Sequence, residues 1–195
     1  MIRRLVSTLR QDRSGATIVE FGMISPAIIV MMLGVFDITY NMYSSSLLTG
    51  AVQQAARASA LEGANASTQN AAVEAAVQRV APHATFTHKR VAYTTFTEVG
   101  SAESYDDLNG DSVCNDGEPF EDANGNGFWD DDRGVVGLGG ARDAVVYTVS
   151  IDYPRVVPIA SFIGVPNHYK HDVQTVLRNQ PWALQSGTSS AGNCP

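Results

Sequence analysis

Cysteine is scarce: the 195 residues hold two, Cys114 and Cys194. Two cannot build the disulfide scaffold of a small secreted domain. One bridge is open to them in an oxidising compartment, and spacing alone does not show that they meet. Basic residues are also few, with 13 Lys and Arg against 20 Asp and Glu and a net charge of -7. A general basic field for nucleic acid is therefore excluded. The chain has no Gly-rich phosphate loop, no serine nucleophile elbow and no CxxC pair, so nothing in it marks an enzyme. The four histidines make no zinc set. His168 and His171 are three apart in an expected strand and point to opposite faces, and His83 and His88 are read with them as surface residues. Long apolar runs are rare too, and the one exception organises the chain.

From Ala16 to Phe36 the only ionisable residue is Glu20. Twenty-one helical residues span about 31 Å, which matches a bilayer core. Arg3, Arg4, Arg10 and Arg13 precede the run and Asp37 follows it. The positive-inside rule puts the N-terminus in the cytoplasm and the bulk of the chain outside. A buried core helix fits the length and flanks poorly. A cleaved signal peptide needs small residues just after the run, where DITYNMYSSS stands instead. The small residue lies before the run, at Gly15. An unpaired carboxylate in hydrocarbon is costly, so Glu20 needs a partner.

The arrangement resembles type IV prepilins and pseudopilins, in which a membrane peptidase cuts after a glycine and the fifth mature residue is glutamate. Gly15, Ala16, Glu20 and Phe21 fall on those positions. The resemblance implies a new amine on Ala16, positively charged at neutral pH, one helical turn from Glu20. That amine, or a neighbouring subunit's, would neutralise the carboxylate and register the helices. Pro26 removes a helix hydrogen bond and predicts a kink or a loosened turn; pilin-like helices often carry a proline here. Residues 41–62 stay helical, with Gly50 a candidate interruption. Leu47, Leu48, Ala51, Val52, Ala55 and Ala58 form one apolar face, expected to pack on partner subunits.

This stretch resembles the TadE-like family of pilus-assembly proteins, whose members look like GAxxVEFAxxxP, an apolar run and an alanine-rich helix with AAR. Gly15, Ala16, Val19, Glu20, Phe21, Pro26, Ala55, Ala56 and Arg57 carry the likeness, and VLRNQPW, 176–182, is similar to the family's closing strand. The related TadF and TadG groups stay open alternatives. The resemblance implies a minor pilin or pseudopilin of a tight-adherence pilus, single-pass in a bacterial inner membrane, periplasmic in bulk or carried into the fibre. Its partners would be other pilins, assembly-platform proteins, the prepilin peptidase and membrane lipid. A non-assembling, calcium-stabilised periplasmic anchor or adhesion protein is the alternative.

The expected fold is α+β: a leader (1–15), a membrane helix (16–36), its extension (37–66), a soluble domain (67–185) and a flexible, small-residue tail (186–195). Within the domain, residues 67–81 read as an amphipathic helix capped by Ser67 or Thr68 and stopped by Pro82. Residues 83–99 read as a strand or hairpin and 169–182 as a last strand of an antiparallel sheet. DAVVYTVSIDY, 143–153, is the clearest strand, with Val145, Tyr147, Val149 and Ile151 on one face. VVPIASFIG, 156–164, is an apolar loop or short helix on the core or the membrane surface.

Residues 98–133 hold twelve of the twenty acidic residues against Arg133 alone. Within this insert (103–134), DLNGDSVCNDGE has the spacing of a calcium loop. Asp107, Asn109, Asp111, Asn115 and Glu118 take positions 1, 3, 5, 9 and 12, and the Val113 carbonyl takes position 7. Ser112 replaces the usual glycine at position 6. A second loop places Asp122, Asn124, Asn126, the Phe128 carbonyl and Asp130 at positions 1, 3, 5, 7 and 9, with Gly127 at 6. Arg133 falls at position 12, so Asp131 or Asp132 is expected to substitute. Calcium takes six to eight oxygens, and two tandem loops with Phe120, Phe128 and Trp129 between the carboxylates favour a structural Ca2+ that lets the aromatics dock on the sheet.

Overall fold

A 46-residue helix, α1 (Ser14–Ser59), opens the computed structural model, which describes residues 14–61, 63–157, 164–181 and 189–195. Pro26 lies inside it and Gly50 does not end it. The leader up to Arg13, residues 158–163 of the apolar loop, and 182–188 with Trp182 lie outside the described residues. No side chain from Gly15 to Phe36 is buried; burial starts at Asp37 and recurs at Asn41, Ser44, Leu48, Val52, Ala55 and Ser59. That spacing of three and four is one helix face.

The chain forms two compact units, Ser44–Pro154 with Tyr169–Pro195, and Met1–Tyr43 with Arg155–His168. In the first, α2 (Ala66–Gln78) follows α1, and its N-cap is Asn65, not Ser67 or Thr68: the Asn65 side chain accepts from both of their backbone N–H groups. Asparagine caps well because its short side chain reaches those orphan donors. The main sheet has the order β3-β1-β4-β5, with β1 Thr85–Tyr93, β3 Val135–Val136, β4 Ala144–Pro154 and β5 His168–Arg178. β1 and β4 run antiparallel from Thr85↔Asp152 to Tyr93↔Ala144.

Alternation in β4 builds the core. Val145, Tyr147, Val149, Ile151 and Tyr153 are all almost fully buried, each worth roughly 1.5–3 kcal/mol for an aliphatic side chain. Both helices cover this face: the Tyr147 hydroxyl reaches Asn70 of α2 at 3.3 Å, and Tyr169, its ring tilted against Tyr153, meets Ser45 of α1 at 3.1 Å. The apolar face at 47–58 is therefore spent inside the chain, contrary to the expected partner contact. Leu48 and Val52 are fully buried, while Ser46, Gln53, Gln54 and Arg57 face outward. His88 also departs from the surface reading. Its side chain is 9% exposed, with Nδ1 on the Tyr147 hydroxyl and Nε2 on Glu74, beside Arg90 stacked over the Tyr147 ring.

The closing motif ends β5 at Arg178. Asn179 is buried and donates through Nδ2 to the Leu138 and Gly140 carbonyls, and Gln180 N–H donates to Ala60 at the end of α1. On the other sheet face Val91, Tyr93 and Val146 pack with Val99, just before the insert, and Gly134 lies so close to Val91 and Tyr93 that a Cβ has no room.

A second, two-stranded sheet pairs β2 (Pro119–Asp122) with β6 (Ser190–Asn193). The expected flexible tail thus contributes a strand. Cys114 and Cys194 form a disulfide across 80 residues, and Cys194 N–H donates to Glu118. Small polar residues carry little strand propensity; the covalent tie and the close seat of Gly192 on the Phe120 ring hold them there.

Candidate functional site

On α1 the predicted processing and assembly residues share one exposed stretch. Gly15, Ala16, Glu20, Phe21 and Pro26 are all exposed, Phe21 at 68%. Ile18, Met23, Ile24, Ile29 and Met31 are exposed around them. A solvent-facing apolar helix of this length has no stable place in water. Gly15–Ser59 is long and apolar enough to cross a membrane.

The acidic insert is a repeat with an offset of fifteen residues. Asp107 accepts the N–H groups of Gly110, Asp111 and Ser112, and Asp122 accepts those of Gly125, Asn126 and Gly127. Asn109 accepts from Asp111, as Asn124 does from Asn126. Asp111 accepts from Val113, and Asn126 from Phe128. At the ninth position, Asn115 donates its carboxamide to Asp111 at 2.8 Å. Asp130 receives the carboxamides of Asn124 and Asn126 at 2.8 and 2.6 Å. Ser112 adopts φ 62° where the second loop has Gly127 at φ 82°, so the turn forms without the usual glycine, at a cost of about 1–2 kcal/mol.

The twelfth position shows what the sequence reading missed. Glu118, 2% exposed, accepts from Leu108, Asn109 and Asn115. Its counterpart is neither Asp131 nor Asp132 but Glu103, also 2% exposed, which accepts from Ala123, Asn124 and Asp130 at 2.8, 3.4 and 3.1 Å. Asp132 instead accepts from the Tyr93 hydroxyl, and Asp131 is exposed. Arg133 turns away to Glu121 and Glu98. Residues 104–106 run along β2, with Glu121 N–H donating to Ser104 and Asp106 N–H to Pro119, and this brings Glu103 back to the second loop.

Each loop therefore gathers three carboxylates and two carboxamides: Asp107, Asp111, Glu118, Asn109 and Asn115 in one, Asp122, Asp130, Glu103, Asn124 and Asn126 in the other. Among the described residues no three His, Cys, Asp or Glu groups converge as metal ligands; the oxygens are turned onto N–H donors. The Asn115 carboxamide, with the Val113 N–H, holds the Asp111 carboxyl below the ordinary carboxylate range. Burial pushes Asp122 up, but the N–H groups of Gly127, Gly125 and Asn126 and the Ser190 hydroxyl outweigh it and bring it down. Burial and Asp132 push Tyr93 up to about 12. The aromatics divide. Phe120 is buried and Trp129 donates Nε1–H to the Glu103 carbonyl and meets Tyr105 edge-on, whereas Phe128 is 73% exposed and does not dock.

Residues 15–57 match the model of the family described as TadE-like protein. The likeness is confined to this N-terminal part of the chain. No curated protein and no solved structure matches the chain. The TadE-like segment begins at Gly15 and closes on the AAR at 55–57, two residues short of the end of α1. It contains every candidate processing and assembly residue and does not reach 176–182 or the acidic insert.

Proposed function

We propose that the chain is a minor pilin or pseudopilin of a tight-adherence pilus system, a structural subunit and not an enzyme. It is cut after Gly15 by a prepilin peptidase, anchored in the inner membrane by 16–36 with its bulk periplasmic, and assembled with other pilins and the assembly platform. The observation that carries this reading is the TadE-like segment itself, whose apolar half is exposed from Gly15 to Phe36 with one carboxylate in it. Because the apolar face at 47–58 is already covered, the exposed apolar surface that α1 offers to partner helices lies within residues 16–43. Glu20, paired with the Ala16 amine of its own or a neighbouring helix, sets the register. The test is Glu20→Ala in the native host: pilus assembly is lost while the protein stays in the membrane. Unchanged pili with the same protein level would instead support the non-assembling anchor.

Calcium is part of the proposal, as a structural ion in each insert loop. The donor set supports it. Three carboxylates, two carboxamides and a position-seven carbonyl (Val113, Phe128) are hard oxygens in the number and spacing that calcium takes. Glu103 and Glu118 would supply the twelfth-position carboxylates, in place of Asp131 and Asp132. Asn109 and Asn115 present Nδ2 to Asp111, so holding an ion takes a half-turn of each carboxamide to bring Oδ1 round. The ion would offset the mutual repulsion of three carboxylates per loop.

A further inference from the structure

The span that crosses the membrane ends at Phe36, and the next residue is tied to a distant part of the chain. Asp37, 11% exposed at its side chain, makes an ion pair with Arg155 Nη1. Arg155 also donates its backbone N–H to Asn167 at 2.9 Å and its Nε–H to Pro166 at 3.0 Å. One guanidinium therefore closes both ends of the β4–β5 connection and fixes its base to the helix at residue 37. A buried pair of this kind is costly to break, because it leaves a charge without its partner.

What this base presents outward is apolar. Val156 is 63% exposed and Val165 39%, and from Val156 to Asn167 the sequence has no charged residue. Beside them on the helix, Phe36 and Ile38 are 60% and 61% exposed. We propose that the base of the β4–β5 connection, Val156 and Val165 above all, rests on the lipid at the outer membrane boundary, so that the chain touches the bilayer at a second place. The inference builds on the membrane reading of 16–36. Depth decides it. Asp37 is the first residue past the apolar span, and whatever is pinned to it lies at the interface between headgroups and acyl chains. Lipid surrounds every residue there, whereas a protein partner needs an additional binding event.

The test uses the full chain in phosphatidylcholine–phosphatidylglycerol nanodiscs, one copy per disc. Val156→Trp and Val165→Trp are compared with Val136→Trp, on exposed β3, and with Met32→Trp, inside the span. Each added emission is read as the difference from the parent chain. Tryptophan at 156 and 165 is expected to emit further to the blue than at 136 and to lose about half or more of its emission to lipids brominated on the acyl chain. Aqueous iodide is expected to quench position 136 far more than either. Equal iodide quenching at 136, 156 and 165, with none from brominated lipid, overturns the proposal while position 32 remains quenched by lipid. Blue emission at 156 that neither quencher reaches means a protein surface covers it, and overturns the proposal as well. If position 32 is not quenched by brominated lipid either, the membrane reading fails and the proposal falls with it.

Discussion

Glu103 is the residue whose removal separates the repeat from an ordinary acidic loop. Glu103→Ala deletes the acceptor of three backbone N–H groups, those of Ala123, Asn124 and Asp130. A hydrogen bond to a charged group is worth about 1.5–3 kcal/mol. The 2.8 Å bond to Ala123 earns the middle of that range and the longer two less, and water entering the site returns part of the loss. A net cost of about 3 kcal/mol follows, localised on 122–130. Glu103→Gln keeps one oxygen for Ala123 and Asn124 but sets an NH2 against the Asp130 N–H, for about 1–2 kcal/mol. Glu121→Gln is the control: its side chain is 45% exposed and pairs with Arg133 at 3.2 Å, so its cost stays below about 1 kcal/mol. Amide hydrogen exchange on the full chain in detergent reads this directly. In Glu103→Ala the Ala123, Asn124 and Asp130 amides exchange on the order of 100-fold faster, while Leu108, Asn109 and Asn115, held by Glu118, keep their rates. Unchanged exchange at 123, 124 and 130, or equal acceleration in both loops, refutes the assignment of Glu103 to the second loop.

Reduction of Cys114–Cys194, or the double serine variant, frees a closure of 80 residues, worth on the order of 4 kcal/mol on chain entropy; limited proteolysis is expected to remove the C-terminal segment, and protection equal to the oxidised chain contradicts this. Burial lowers the His88 pKa below 6.5, opposed by Glu74 and assisted by Arg90. The unfolded chain then takes the proton first, so stability is full above that pH and falls as pH drops through it. Melting between about pH 7.5 and about pH 5.5 should show the slope, and His88→Gln should flatten it. Calcium at millimolar level should raise the melting temperature of the detergent-solubilised chain and slow cleavage in 103–134, and chelation should reverse both; a chain indifferent to both treatments contradicts the structural-ion reading.

Where one local rule decides, the sequence was legible. The apolar span ended at Phe36, and burial in α1 begins at Asp37. The β4 alternation placed Val145, Tyr147, Val149 and Ile151 on one buried face. Misses came where distant contacts override local pattern. Glu103 lies nineteen residues before Asp122, and only the pairing of 104–106 with β2 returns it to the loop, so a motif read forward finds Arg133 instead. His88 looks like any strand histidine until Glu74 and Tyr147 close over it. The 47–58 face had the pattern of an interface, and an interface and a core have the same apolar spacing; the sheet that claims it is far off in sequence. Ser190–Asn193 has no strand signal of its own and is held by Cys194.

The central claim is that proteolysis after Gly15 creates the positive end group that makes Glu20 tolerable in lipid. Intact-mass measurement of the protein extracted from membranes of the native host tests it most directly. A mature chain beginning at Ala16, lacking residues 1–15, is the predicted result. A chain that still carries its arginine-rich leader, with the Gly15–Ala16 bond whole, contradicts it.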